Sequence, residues 1–227
     1  MIDFEIKQPE VKGPQEIENL SMETITSEAK DYPRFQEFTP DQQKVAQRMI
    51  HTTTCFDQII NNIYFSKNAT EKIKQLLSDG ASIITDTNMI RAGLSKVYTE
   101  KYDNKVICYV AEPEVKYISE EEGVTRTVAA VKKALSEQKK ASPVILACGN
   151  APTFLYAAIE YLVKNECDLS NIAILGMPVG FVNVVESKEY ALDFMNKTGV
   201  EGIIMQGRYG GSPLIVSCLH ALYKLIP

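Results

Sequence analysis

The chain has 227 residues, 45% hydrophobic and 23% charged, with 24 lysines and arginines against 29 aspartates and glutamates. A net charge of −5 excludes a general nucleic-acid surface, so any anionic ligand must be held by local groups. Apolar runs stay short of the ~20 residues a bilayer span needs, and MIDFEIKQPE lacks the basic-then-apolar order of a secretory signal, so the cytoplasm is the expected compartment.

In chain order, residues 1–14 are polar with Pro9, Gly13 and Pro14 and read as a frayed or docked arm. Residues 15–30 suit a helix that Asp31-Tyr32-Pro33 breaks. Thr39-Pro40-Asp41 then supplies an N-cap residue, a proline at N1 and an acid in the first turn of a helix over 40–51. Apolar runs at 82–85, 105–110, 143–148, 171–175 and 202–205 have strand length. They are nearly continuous in apolar character, as strands covered on both faces are. Helical patterns lie between them at 87–95, 114–121, 126–139, 153–165 and 186–197, with a last one at 213–225. The alternation predicts an α/β fold: a mostly parallel, doubly wound sheet of about five strands flanked by helices, with an N-terminal helical arm.

Every strand but the second runs into a small or polar segment: Asp86-Thr87-Asn88, Gly149-Asn150-Ala151-Pro152, Gly176 to Gly180, and Gly207 to Pro213. In a parallel sheet these emerge at the carboxyl edge, where ligands bind. The last, Gly207-Arg208-Tyr209-Gly210-Gly211-Ser212-Pro213, reads either as a tight αL turn or as an anion-binding nest, with Ser212 as N-cap and Arg208 as a carboxylate fork. It is neither a Walker A loop nor G-x-G-x-x-G. Thr125 caps a helix and leaves Arg126 at a helix start, where the dipole disfavours a cation unless an anion is near. Thr87 and its neighbours are either a helix cap or ligand-binding groups, and Glu186-Ser187-Lys188 starts another helix.

There are two histidines. In the 40–51 helix Val45, Ala46, Met49 and Ile50 form the apolar stripe, so His51 faces away from the core with Arg48 beside it. His51 is then either a solvent-exposed helix-end residue or, with Arg48 three residues before it and Thr52, Thr53 and Thr54 after it, the acid group of a site for a polyanion. His220, ringed by Leu219, Ala221 and Leu222, reads as structural or surface. No H-x-x-x-H, H-E-x-x-H or cysteine cluster suggests a catalytic metal, and no G-x-S-x-G elbow offers a serine nucleophile. Cys55, Cys108, Cys148, Cys167 and Cys218 are widely spaced and read as reduced packing residues.

Seven blocks together resemble the precorrin-8X methylmutase (cobalt-precorrin-8 methylmutase) family. They are Arg48-Met49-Ile50-His51, Thr85-Asp86-Thr87-Asn88-Met89, Gly123-Val124-Thr125-Arg126, Gly149 to Thr153, Gly176 to Val182, Glu186-Ser187-Lys188 and Gly207 to Ser212. They stand in order with compatible spacing over about residues 15–225. The resemblance implies one α/β methylmutase domain, usually a homodimer, that moves a methyl group from C11 to C12 of a tetrapyrrole edged with acetates and propionates, giving hydrogenobyrinate or its cobalt counterpart. It implies no cofactor, since any cobalt belongs to the substrate, and no nucleic-acid or membrane partner. The family's acid/base role falls on His51, with substrate contacts at Arg48 and, in the first helix, at Ser21. Thr87, Arg126, Asn150, Arg208, Gly210 and Gly211 are further candidate substrate contacts. The alternative is a corrinoid carrier on the same fold without turnover.

Overall fold

A computed structural model describes residues 9–139 and 141–227. Most of the expected arm, residues 1–8, lies outside the described residues. The six-stranded sheet has the order β1-β6-β5-β4-β2-β3, with β1 (Ile63–Phe65), β2 (Ser82–Thr85), β3 (Val106–Ile107), β4 (Val144–Cys148), β5 (Ile172–Gly176) and β6 (Glu201–Met205). Only β1 runs antiparallel to its neighbour, with Ile63 opposite Met205. The mostly parallel sheet is as expected, with one strand more than the apolar runs indicate.

Strand residues alternate between two cores. Ile83, Ile145, Ala147, Ala173, Leu175 and Ile203 face one side, and Ile84, Leu146, Ile174 and Ile204 the other. Both sets are apolar because helices cover both faces, which is why the runs lack a polar alternate. The first core is shared by α1 (Pro14–Ala29), α2 (Pro33–Gln36), α3 (Pro40–Thr53), α4 (Phe56–Asn62), α5 (Ala69–Ser78), α6 (Asn88–Gly93) and α12 (Ser212–Lys224). The second is covered by α9 (Arg126–Ser136), α10 (Pro152–Lys164) and α11 (Val184–Thr198). The short α7 (Lys96–Lys101) precedes β3 in the chain and α8 (Pro113–Glu122) follows it and packs on α9.

Local chemistry explains the ends that matter. Thr39 begins α3 with a full capping box against Gln42, as the Thr-Pro-Asp start indicates. Thr54, in the left-handed region at φ 57°, closes it and donates its N–H to Ile50 O. Four features depart from the sequence reading. α2, α4, α5 and α7 were not marked by it, and β1 has only three residues, too few for a pattern. β3 stops at Ile107, so 108–110 leave the sheet. α9 ends at Ser136. The cap of α12 is Gly211, not Ser212, whose hydroxyl instead meets Thr87 Oγ1 at 3.0 Å.

Candidate active site

The direction in which the chain crosses the sheet reverses between β4 and β2, adjacent parallel strands whose onward connections leave in opposite senses. Such a switch point normally opens a ligand crevice at the carboxyl edge. Here it is closed from within by Asp86, at the end of β2. Asp86 is 4% exposed; its Oδ1 accepts the Gly149 N–H at 3.0 Å and its Oδ2 those of Asn150 and Ala151 at 2.6 Å each. The N–H groups that could have bound a ligand anion after β4 therefore hold a carboxylate of the chain itself. Burial pushes the Asp86 carboxyl up, and the three N–H groups pull it back.

The glycine loop after β6 is likewise turned toward the protein. Buried Lys188, on α11, donates to Gly207 O at 2.7 Å and Tyr209 O at 2.8 Å, and burial lowers its ammonium to about 8. The Gly211 N–H donates to Met177 O at 2.8 Å. Gly210 lies so close to the Met177 carbonyl that a Cβ there would collide with it, so only glycine fits. Arg208 remains exposed, 5.5 Å from the Phe181 ring centroid.

The open space lies to one side, around the end of α3. His51 is exposed and Arg48 half-buried. With Met89, Gly93, Val216 and His220 they line a cavity of about 330 Å³ between α3, α6 and α12. His51 also lines a second cavity of about 580 Å³ with Leu20, Ser21 and Thr24 of α1 and Phe56 of α4. Arg48 lines a third, of about 270 Å³, with Glu18, Met22 and Lys224. One turn of α3 thus joins three adjoining hollows whose walls mix apolar side chains with charged and hydroxyl groups. The threonines after His51 are occupied locally: Thr52 and Thr53 donate to the Arg48 and Met49 carbonyls, and Thr54 to Thr53 O.

Of the residues singled out in the sequence, Ser21, Arg48 and His51 come together. Thr87 caps α6 through the Ile90 N–H and sits behind this region, on Ser212. Asn150, Arg126 and Arg208 are exposed and line none of the three cavities; Arg126 begins α9, which Thr125 caps. Gln47, on the polar side of α3, is buried and donates to Thr26 Oγ1 at 2.8 Å, tying α1 to α3.

Three participants escape a sequence reading. Glu18 Oε1 accepts from Arg48 Nη1 at 2.8 Å and from Lys224 Nζ at 2.7 Å. His220 shares the His51 cavity, and its Nε2 accepts the Ser95 N–H at 3.0 Å, which fixes the neutral ring with its proton on Nδ1. The four-residue spacing of His220 and Lys224 on one face of α12 was the available signal, but nothing local tied that face to residue 48.

His220 carries a pH prediction. Burial first, then the Arg48 and Lys224 cations, hold its imidazolium form down; the Ser95 N–H and the Tyr98 ring, 5.8 Å between centroids, are its other neighbours. Its folded pKa lies below the unfolded value near ~6.5, so the unfolded chain takes the proton first as pH falls. Its contribution is complete above that value and is lost as pH falls through the folded pKa. Gln keeps an acceptor and a donor but does not titrate. Urea midpoints at pH 7.5, 6.5 and 5.5 are expected to show wild type losing stability relative to His220→Gln on acidification; a constant difference rejects this.

A mostly parallel α/β scaffold with a histidine- and arginine-bearing cleft beside the sheet's carboxyl edge is a frame that many enzymes share. Residues 16–225 match the family model described as precorrin-8X methylmutase. The chain is 34% identical over 212 residues to the cobalt-precorrin-8 methylmutase of Leptospira interrogans, covering 92% of each. It is 33% identical over 214 residues to the precorrin-8X methylmutase of a Sinorhizobium species, covering 94% of this chain and 96% of that one. A solved precorrin-8X methyl mutase from Thermus thermophilus superposes with a TM-score of 0.79 at 36% identity, over 93% of this chain and 96% of that one. The chain belongs to the precorrin-8X methylmutase family, isomerases of cobalamin biosynthesis.

Proposed function

We propose that this chain binds precorrin-8X or cobalt-precorrin-8 across the end of α3 and that His51 is the acid that assists methyl migration. The methyl breaks its bond to C11 and forms one to C12 of the same molecule, so no group leaves and no nucleophile is needed. His51, as imidazolium, donates a proton or a hydrogen bond to the conjugated ring near the migrating methyl, draws electron density from it, and recovers the proton when the product forms. Assistance of this kind contributes about 10²–10⁴-fold. The observation that carries the reading is the meeting of Ser21, Arg48 and His51 around adjoining cavities of mixed apolar and charged lining, which suits a flat ring with charged edges.

Arg48 holds a substrate carboxylate. Arg126, Asn150, Arg208 and the glycine loop, away from these cavities in one subunit, are assigned to the site of a homodimer. Support for a dimer comes from the exposed apolar segment beside Arg208, with Phe181 83% and Val182 74% accessible. Among the described residues no helix is long and apolar enough to cross a membrane. Among the described residues no disulfide joins the five cysteines, which suits a reducing cytoplasm.

Incubation with each substrate tests the reading. Catalytic conversion, followed as a change in the absorption spectrum that far exceeds the enzyme concentration, is expected for one or both. A change that stops at one equivalent identifies a carrier and rejects an isomerase. Comparing rates on the metal-free and cobalt-bearing forms assigns the branch.

A further inference from the structure

Glu18 is a carboxylate held between two cations, Arg48 and Lys224. A single oxygen, Oε1, takes both the Arg48 Nη1 and the Lys224 Nζ hydrogen bonds, at 2.8 and 2.7 Å. The two cations come from α3 and α12, which pack against each other in the core, while the carboxylate comes from α1. We propose that Arg48 and Lys224 form a carboxylate subsite whose resident occupant, Glu18, is displaced by an acetate or propionate group of the bound macrocycle. The inference rests on the tetrapyrrole reading and adds Lys224 as a binding residue and Glu18 as its competitor.

Three observations support exchange. First, apart from Glu18 itself, α1 is anchored to the core through its second half: Ile25 and Ala29 are its buried residues, and Thr26 holds Gln47, whereas Ile17 and Leu20 are 46% and 50% exposed. Its first turns can lift without opening the core. Second, the hollow beside the ion pair is walled by Met22, Ala221 and Leu225, which suits the methylene stem of such a group. Third, the charge balance is unchanged when one carboxylate replaces another between the same two cations. The pair holds Glu18 below the usual carboxylate range, chiefly through Lys224, so it stays ionised and competes at neutral pH. Partly exposed ion pairs are weakly held, so the exchange costs little. Because Arg48 also borders the His51 cavity, the exchange fixes a ring edge one helical turn from the proton donor.

The test is calorimetric titration of the full chain with hydrogenobyrinate, the expected metal-free product. Glu18→Gln is expected to tighten binding by about fivefold, the size of an exposed ion pair, and Lys224→Met to weaken it by about as much. Added ligand is also expected to raise proteolytic cleavage within residues 14–18 of wild type. A purely structural Glu18 would give unchanged or weaker binding in Glu18→Gln together with a lower melting temperature, and that result overturns the subsite. If wild type neither binds hydrogenobyrinate nor converts precorrin-8X or cobalt-precorrin-8, the tetrapyrrole reading fails and the subsite falls with it. If wild type does both and Glu18→Gln does not bind more tightly, the subsite alone fails.

Discussion

His51→Ala is expected to lower turnover at least about a hundredfold, or ~2.7 kcal/mol of barrier, with corrinoid affinity and stability nearly unchanged. The imidazole is exposed on the last turn of α3 and, among the described residues, has no hydrogen-bond partner, so its removal leaves neither a hole nor an orphaned group. The turn it stands on is held by other means: the Thr54 N–H bonds Ile50 O at 2.6 Å, and Met49 and Ile50 are fully buried. A surface truncation away from packing changes stability by roughly half a kcal/mol or less. A large loss of turnover at constant melting temperature therefore reports chemistry, not folding. Binding should persist because Arg48 and the aliphatic walls remain. Single-turnover rates on precorrin-8X with the matched binding constant make the check; near-normal turnover removes His51 from the acid role.

How much of this was legible beforehand follows from where each signal lies along the chain. β4 and β5 are unbroken apolar runs, as is β6 after Glu201, and their burial on both faces makes them readable without neighbours. β1 is three residues with Tyr64 in the middle, and it is a strand because β6 offers it an edge, which no local pattern announces. Helical phase puts His51 opposite the Val45–Met49 stripe and Arg48 on its flank, which makes their exposure readable, while their roles come from the family resemblance. The carboxyl-edge loops were found by composition, but their use was not. An acid after one strand and a glycine turn after another look like two ligand-binding groups until Asp86 is seen filling the second. Glu18 and Lys224 stand 206 positions apart, so only the packed fold could pair them. Residue type marked the regions able to bind anions; tertiary contacts decided which of those positions the protein fills with its own carboxylates.

Asp86→Ala is expected to cost about 3 kcal/mol or more and to lower the melting temperature by roughly 6–12 °C. The substitution leaves the Gly149, Asn150 and Ala151 N–H groups without their acceptor at a point where Gly149 is buried. Each unpaired interior donor carries a penalty of about 1–3 kcal/mol, offset only where water can reach, as it can near exposed Asn150. The damage should also reach activity. Gly149 lies against the start of α12, where a Cβ would come within 2.8 Å of Ser212 Cα, and α12 carries His220 and Lys224 into the cleft. A loosened 149–152 loop therefore shifts the wall facing His51, so kcat/KM is expected to fall along with stability. Asp86→Asn is the informative partner: it keeps one acceptor oxygen but turns an NH₂ toward a donor, and should fall between wild type and Ala in melting temperature. Calorimetric melting of the three proteins decides the matter, because an unchanged transition in Asp86→Ala would mean that the switch-point carboxylate holds nothing together.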